Sequence, residues 1–105
     1  MAFSNIWFMN DYLLNKTLYF QSDNGVTIMV MKGRRQEVID MSLVKVENML
    51  PEGMFYRVHR SYLVNLDALL ELRYYRSHLL ALVGNYQIPV SRRRGKDLMD
   101  SLDIF

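Results

Sequence analysis

In the segment Phe55-Tyr56-Arg57-Val58-His59-Arg60-Ser61-Tyr62-Leu63-Val64-Asn65-Leu66-Asp67, an alternating strand pattern runs into a cluster of hydrogen-bonding side chains. Arg60 has the planar fork needed to bond a guanine edge through two N–H groups, and the Ser61 hydroxyl can donate to a phosphate. The plainer alternative is a strand end tied down by its own side-chain hydrogen bonds. A second segment, Ile88-Pro89-Val90-Ser91-Arg92-Arg93-Arg94-Gly95-Lys96, concentrates four cations within five residues. It reads either as a cluster that contacts phosphates and bases or as a solvated charged face. Its placement favours the first reading. Ser91 is a good helix N-cap, so Arg92, Arg93 and Arg94 fall in the first turn of a helix. The helix dipole favours acids there by about 0.3–1 kcal/mol each. A run of cations kept at that locally unfavourable place points to an anionic partner outside the fold.

The elements that must position these side chains are mostly strands. Lys16 to Gln21 and Gly25 to Met31 read as β-rich runs joined by the turn-forming Ser22-Asp23-Asn24-Gly25. Val26 to Met31 is apolar on both sides, as expected of a buried strand. Lys32 to Arg35 turns the chain into a short strand through Val38 and Ile39. Ser42 can cap a short helix whose face carries Leu43, Val46 and Leu50, and Pro51-Glu52-Gly53 ends it. Phe55 to His59 alternates with Phe55, Arg57 and His59 on one face and Tyr56 and Val58 on the other. Leu63-Val64, Leu70 to Tyr75, Leu79 to Val83 and Tyr86 to Val90 follow, separated by turn residues. Leu98 and Leu102 form an i,i+4 pair in the closing helix. The fold class expected is mostly β, compact, with short antiparallel strands and one or two short helices.

A chain of 105 residues is expected to form a single domain across 1–105. Half its residues are hydrophobic and 23% are charged, which argues against disorder. With no cysteine, thiolate zinc sites and cysteine nucleophiles are excluded, and His59 and His78 are too few to build a metal site without carboxylates. No cofactor is expected. The longest purely apolar run, Leu79 to Val83, is far too short to span a membrane as a helix. The net charge of +2 is modest, but residues 1–53 carry a net −1 and residues 54–105 a net +3. Of the eight cations in the second half, seven are Arg, the side chain suited to forked recognition of phosphates and base edges. Ser61 lies near His59 without an orienting acid at triad spacing, and no glycine-rich phosphate cradle is present, so no enzyme is expected.

The long segment around Arg60, followed some twenty residues later by Ile88-Pro89-Val90-Ser91-Arg92-Arg93, resembles the LytTR family, with weaker similarity through Leu18 to Met31. The resemblance implies a mostly β domain that binds double-stranded DNA by inserting loops into successive major grooves, as the output module of a bacterial response regulator in a two-component system. It implies Arg60 as one base reader and Arg92 as a second, with a third contact from the loop around Asn24 to Thr27. Ser61, Arg93 and Lys96 would then hold phosphates, and His59 would either touch DNA or order the Arg60 loop. The expected partners are promoter repeats, with a homodimer on DNA and a receiver domain or membrane-bound partner in the native system. The expected location is the cytoplasm, on the nucleoid when bound. The chain departs from the family where Gly25-Val26 and Arg94-Gly95 stand, which touches the third contact and the closing helix. A reading from another class is a small β module that binds a protein through its aromatic N-terminal segment of Trp7, Phe8, Tyr12 and Leu14.

Overall fold

In a computed structural model, which describes residues 6–102, eight strands form two antiparallel sheets. The larger sheet has the order β3-β2-β1-β5-β4, from β1 (Thr17–Asp23), β2 (Val26–Met31), β3 (Arg35–Ile39), β4 (Phe55–His59) and β5 (Tyr62–Asn65). The smaller is a meander of β6 (Leu69–Tyr75), β7 (His78–Val83) and β8 (Tyr86–Val90). Three short helices complete the fold: α1 (Asp11–Lys16), α2 (Leu43–Met49) and α3 (Arg92–Ser101).

The five-stranded sheet is a middle layer with a core on each face. On one face Phe20, Met29, Met31, Ile39 and Leu63 pack under α1, α2 and the buried Phe8. On the other, Tyr19, Val30, Val58 and Val64 meet Ala81, Val83, Ile88 and Val90 of the smaller sheet and Leu98 of α3. Burial on both sides explains why Val26 to Met31 is apolar without alternation: Ile28 and Val30 face one core, and Met29 and Met31 enter the other. Leu18 and Tyr19 reach the same core although they are adjacent, because the β1–β2 register slips between Thr17 and Tyr19.

Most boundaries agree with the sequence reading, down to the Ser42 cap, whose hydroxyl accepts from the Lys45 N–H at 3.3 Å. Among the described residues the α-helices number three, where the sequence predicts one or two. The additional one is α1, where Asn10 caps by accepting from the Leu13 N–H and Lys16 closes the last turn. Phe8 and Leu14 are buried beneath it on a sheet face, while Trp7 and Tyr12 remain exposed.

Candidate nucleic-acid interface

Strand pairing brings the separate motifs together. Gln21 pairs with Tyr62 across β1 and β5, so the β1–β2 turn at Asn24-Gly25 and the β4–β5 turn at Arg60-Ser61 leave the sheet at the same end. The Ser22 N–H donates to the Ser61 carbonyl at 2.9 Å and ties the two hairpins. The start of α3 joins them: the Ser91 N–H donates to the Val58 carbonyl at 2.9 Å, and Arg94 reaches the Arg57 carbonyl at 3.5 Å. Thus Asn24, Arg60 and Arg92, far apart in sequence, stand at one end of the domain.

The Arg60 turn is built rather than loose. Arg57 Nε donates to the His59 carbonyl at 2.8 Å, a second arm donates to the Arg60 carbonyl, and a third N–H meets the Glu47 carboxylate of α2 at 2.6 Å. The Arg57 side chain is only 13% exposed, so this fork is shielded from water. Arg57 was missed as a site residue in the sequence; its position on the α2 face of β4 was the available signal. The backbone of the turn being fixed this way, Arg60 itself projects into solvent.

His59 corrects the alternation drawn from the sequence. The β4–β5 register slips between Arg57 and His59, and the extra residue turns His59 away from the Arg57 face. Its ring stands 5.6 Å from that of its cross-strand partner Tyr62, on the side of the smaller sheet. There Nδ1 accepts the Ser61 N–H at 3.1 Å, which places any ring proton of the neutral form on Nε2. Partial burial, with Arg60, Arg94 and Arg57 nearby, pushes its pKa below 6.5. His59 thus holds the Arg60-Ser61 turn by accepting the Ser61 N–H through Nδ1.

The neighbouring groove extends the site. His59, Arg92 and Lys96 line an open cleft of about 1090 Å³ together with Tyr74, Arg76 and His78 from the tip of the smaller sheet. Arg92 and Lys96 are i and i+4 on α3 and share this face. Arg93 faces elsewhere, into a shallow depression with Arg94, Glu47 and Asp97. The β6–β7 hairpin, turning at Arg76-Ser77, is what brings Arg76 to the cleft. Among the described residues, Arg60, Arg76, Arg92, Arg93 and Lys96 have no carboxylate within ion-pair distance.

The early loop is narrower than expected. Asn24 and Gly25 both have positive φ, 50° and 87°, which makes a tight two-residue turn, and Asn24 is exposed. Thr27 is a correction: it is fully buried within β2 and its hydroxyl donates to the Met41 carbonyl at 2.8 Å, so it fixes the chain before α2 and does not face solvent. Ser91 occupies the N-cap of α3 without a side-chain capping bond. Gly95 is explained by packing, since a Cβ there would stand 2.6 Å from Leu79 Cδ2 and 3.1 Å from Val90 Cγ1.

Fold and site together define a β-rich domain in which two strand turns and the first turn of one helix form a cationic end. Residues 11–103 match the family model of the LytTr DNA-binding domain, and the chain belongs to that family. It is 42% identical over 72 residues to the sensory transduction protein LytT of Oceanobacillus iheyensis, covering 63% of this chain and 29% of that protein. It is 33% identical over 84 residues to the LytT of Bacillus cereus, covering 78% of this chain and 33% of that protein. The chain thus spans about a third or less of the curated relatives it matches. The fold is similar to a solved LytTr DNA-binding domain of a response regulator from Bacillus cereus, with a TM-score of 0.75 at 24% identity over 85% of this chain and 83% of that one. Among the described residues, no helix is long and apolar enough to cross a membrane.

Proposed function

We propose that this chain binds specific sequences in double-stranded DNA and serves as the DNA-reading part of a bacterial transcriptional regulator. The observation that carries the reading is the convergence of the Asn24, Arg60 and Arg92 segments at one end of the fold, where the cations lack carboxylate partners among the described residues. Arg60 and Arg92 read base edges in the major groove, and Asn24 adds a third contact. Lys96, Arg93 and the Ser61 hydroxyl hold phosphates, which fix register without reading sequence. His59 supports the Arg60 turn from behind. A regulatory input from a receiver domain or a separate partner acts on this surface, in keeping with the name sensory transduction protein borne by the similar LytT proteins.

The test is retention of random genomic fragments at two salt concentrations, followed by sequencing of what stays bound at the higher one. Enrichment of a short repeated motif supports the reading and supplies the binding site. On that site, Arg60→Ala is expected to cost about 1–3 kcal/mol and to relax preference at one base pair. Retention of no fragment at either salt concentration, or an Arg60→Ala protein that treats cognate and scrambled duplexes as the parent does, overturns it.

A further inference from the structure

We propose that two copies of this chain associate through the free edge of the smaller sheet, with β6 pairing antiparallel to β6 of a second copy about a two-fold axis at Leu72. β6 is an edge strand, hydrogen-bonded to β7 alone. In its two-residue hairpin the flanking pair Tyr75 and His78 share backbone hydrogen bonds, and alternation from there turns the N–H and C=O groups of Tyr74 and Leu72 outward. Among the described residues no backbone partner reaches those groups. Such an edge is a template for another strand.

What selects a second copy as the occupant is the register of the side chains. Antiparallel pairing centred on Leu72 sets Glu71 opposite Arg73 of the second copy and Arg73 opposite its Glu71, while Leu70, at the slip where the regular run ends, comes beside its Tyr74. Leu70 is 72% exposed and Tyr74 66%, so the pairing covers two large apolar side chains from each copy. Glu71 and Arg73 already lie side by side on one face, joined by two contacts of 2.9 Å. Two copies therefore assemble a square of alternating charge without either side chain leaving its place. Charges of one sign would guard this edge against a copy; opposite signs placed symmetrically about Leu72 attract one. The register slip between Leu69 and Glu71 ends the run on one side and the Arg76-Ser77 turn on the other, which confines the contact to a few residues. The contact is smaller than the roughly 1,200 Å² of a stable interface, so the dimer is weak and concentration-dependent.

Sedimentation of the 105-residue chain across a concentration series reaching the millimolar range tests this. The parent is expected to dimerise with rising concentration. Glu71→Arg and Arg73→Glu each place like charges opposite one another twice per dimer, and each is expected to weaken self-association about tenfold. An equimolar mixture of the two variants restores both opposite-charge pairs in the mixed dimer, and association should return to the parent level. Both positions are exposed, and far-UV circular dichroism checks that the variants fold as the parent does. A parent that stays monomeric throughout overturns the proposal, as does a mixture that associates no better than either variant alone.

Discussion

A guanidinium carries five N–H donors in a fixed plane. Arg57 directs its own at groups that connectivity alone does not hold together: the Glu47 carboxylate on α2 and the carbonyls of His59 and Arg60. A bent chain with two adjacent carbonyls aimed inward needs donors to satisfy them, and a lysine, with a single nitrogen, cannot span all three partners. The slip in register that turns His59 to the other face leaves its carbonyl to be met by Arg57 and its ring to be met by the Ser61 N–H. Two residues of one strand thus brace the same turn from opposite faces. Arg57→Met keeps the length of the side chain and removes every donor. It is expected to lower stability by about 1–3 kcal/mol, since the lost bonds are charge-assisted and largely shielded. Because the turn carries Arg60, affinity for the selected DNA site should fall as well, even at temperatures where the variant is fully folded. Urea unfolding and DNA titration at low temperature measure the two effects separately. A variant that loses stability yet binds the site as tightly as the parent would show that the Arg60 turn holds its shape without Arg57.

At the scale of elements, α3 has to lie close enough to β7 and β8 to bring its first turn beside β4. Gly95 permits that approach. Its missing Cβ leaves room for Leu79 and Val90, and Leu98, one turn further on, is fully buried. Glycine costs a helix about 0.5–1 kcal/mol relative to alanine, and here close packing offsets it. Gly95→Leu is expected to overpack this contact and destabilise the domain by about 1–3 kcal/mol, while displacing α3 and with it Arg92 and Lys96. Urea unfolding reads the first effect and backbone amide shifts along α3 the second; unchanged values for both would mean the helix seats itself elsewhere. The elements themselves were largely legible in the sequence, because β-branched runs and turn residues alternate along the chain and Ser42 and Ser91 mark two helix starts. Three things were not legible. Helix α1 is only six residues long, too short for a periodic signal, and rests on Phe8 and Leu14 packing against the sheet. The slip before His59 changes which face the histidine takes, and nothing in strict alternation announces a bulge. Thr27 sits next to an exposed turn in sequence but inside a middle-layer strand in space, and only the long-range bond to Met41 reveals that.

Over the whole molecule a net charge of +2 gives little long-range attraction, so binding to a polyanion has to come from where the charges stand. Of the ten described cations without a carboxylate partner, six (Arg60, Arg76, Arg92, Arg93, Arg94 and Lys96) stand on the β4–β5 turn, the first turns of α3 and the tip of the β6–β7 hairpin. The described ion pairs Arg35–Glu37, Arg57–Glu47 and Arg73–Glu71 engage three other cations, of which Arg57 braces the β4–β5 turn from beneath. Each phosphate neutralised by one of those six releases counterions, so the logarithm of affinity should fall with that of salt concentration with a slope of about −0.9 per contact on duplex DNA. Lys96 separates this effect from sequence reading. It is exposed on the cleft face of α3, one turn from Arg92, and an ammonium acts as a point charge rather than a forked base reader. Lys96→Ala is therefore expected to weaken cognate and scrambled duplexes by the same factor and to make the salt slope shallower by about one unit. Fluorescence anisotropy between about 50 and 200 mM salt, the range in which the slope is well determined, provides the measurement. Loss confined to the cognate duplex would move Lys96 among the base readers. An unchanged slope would place it off the DNA altogether and leave the phosphate contacts to the β4–β5 turn and the rest of α3.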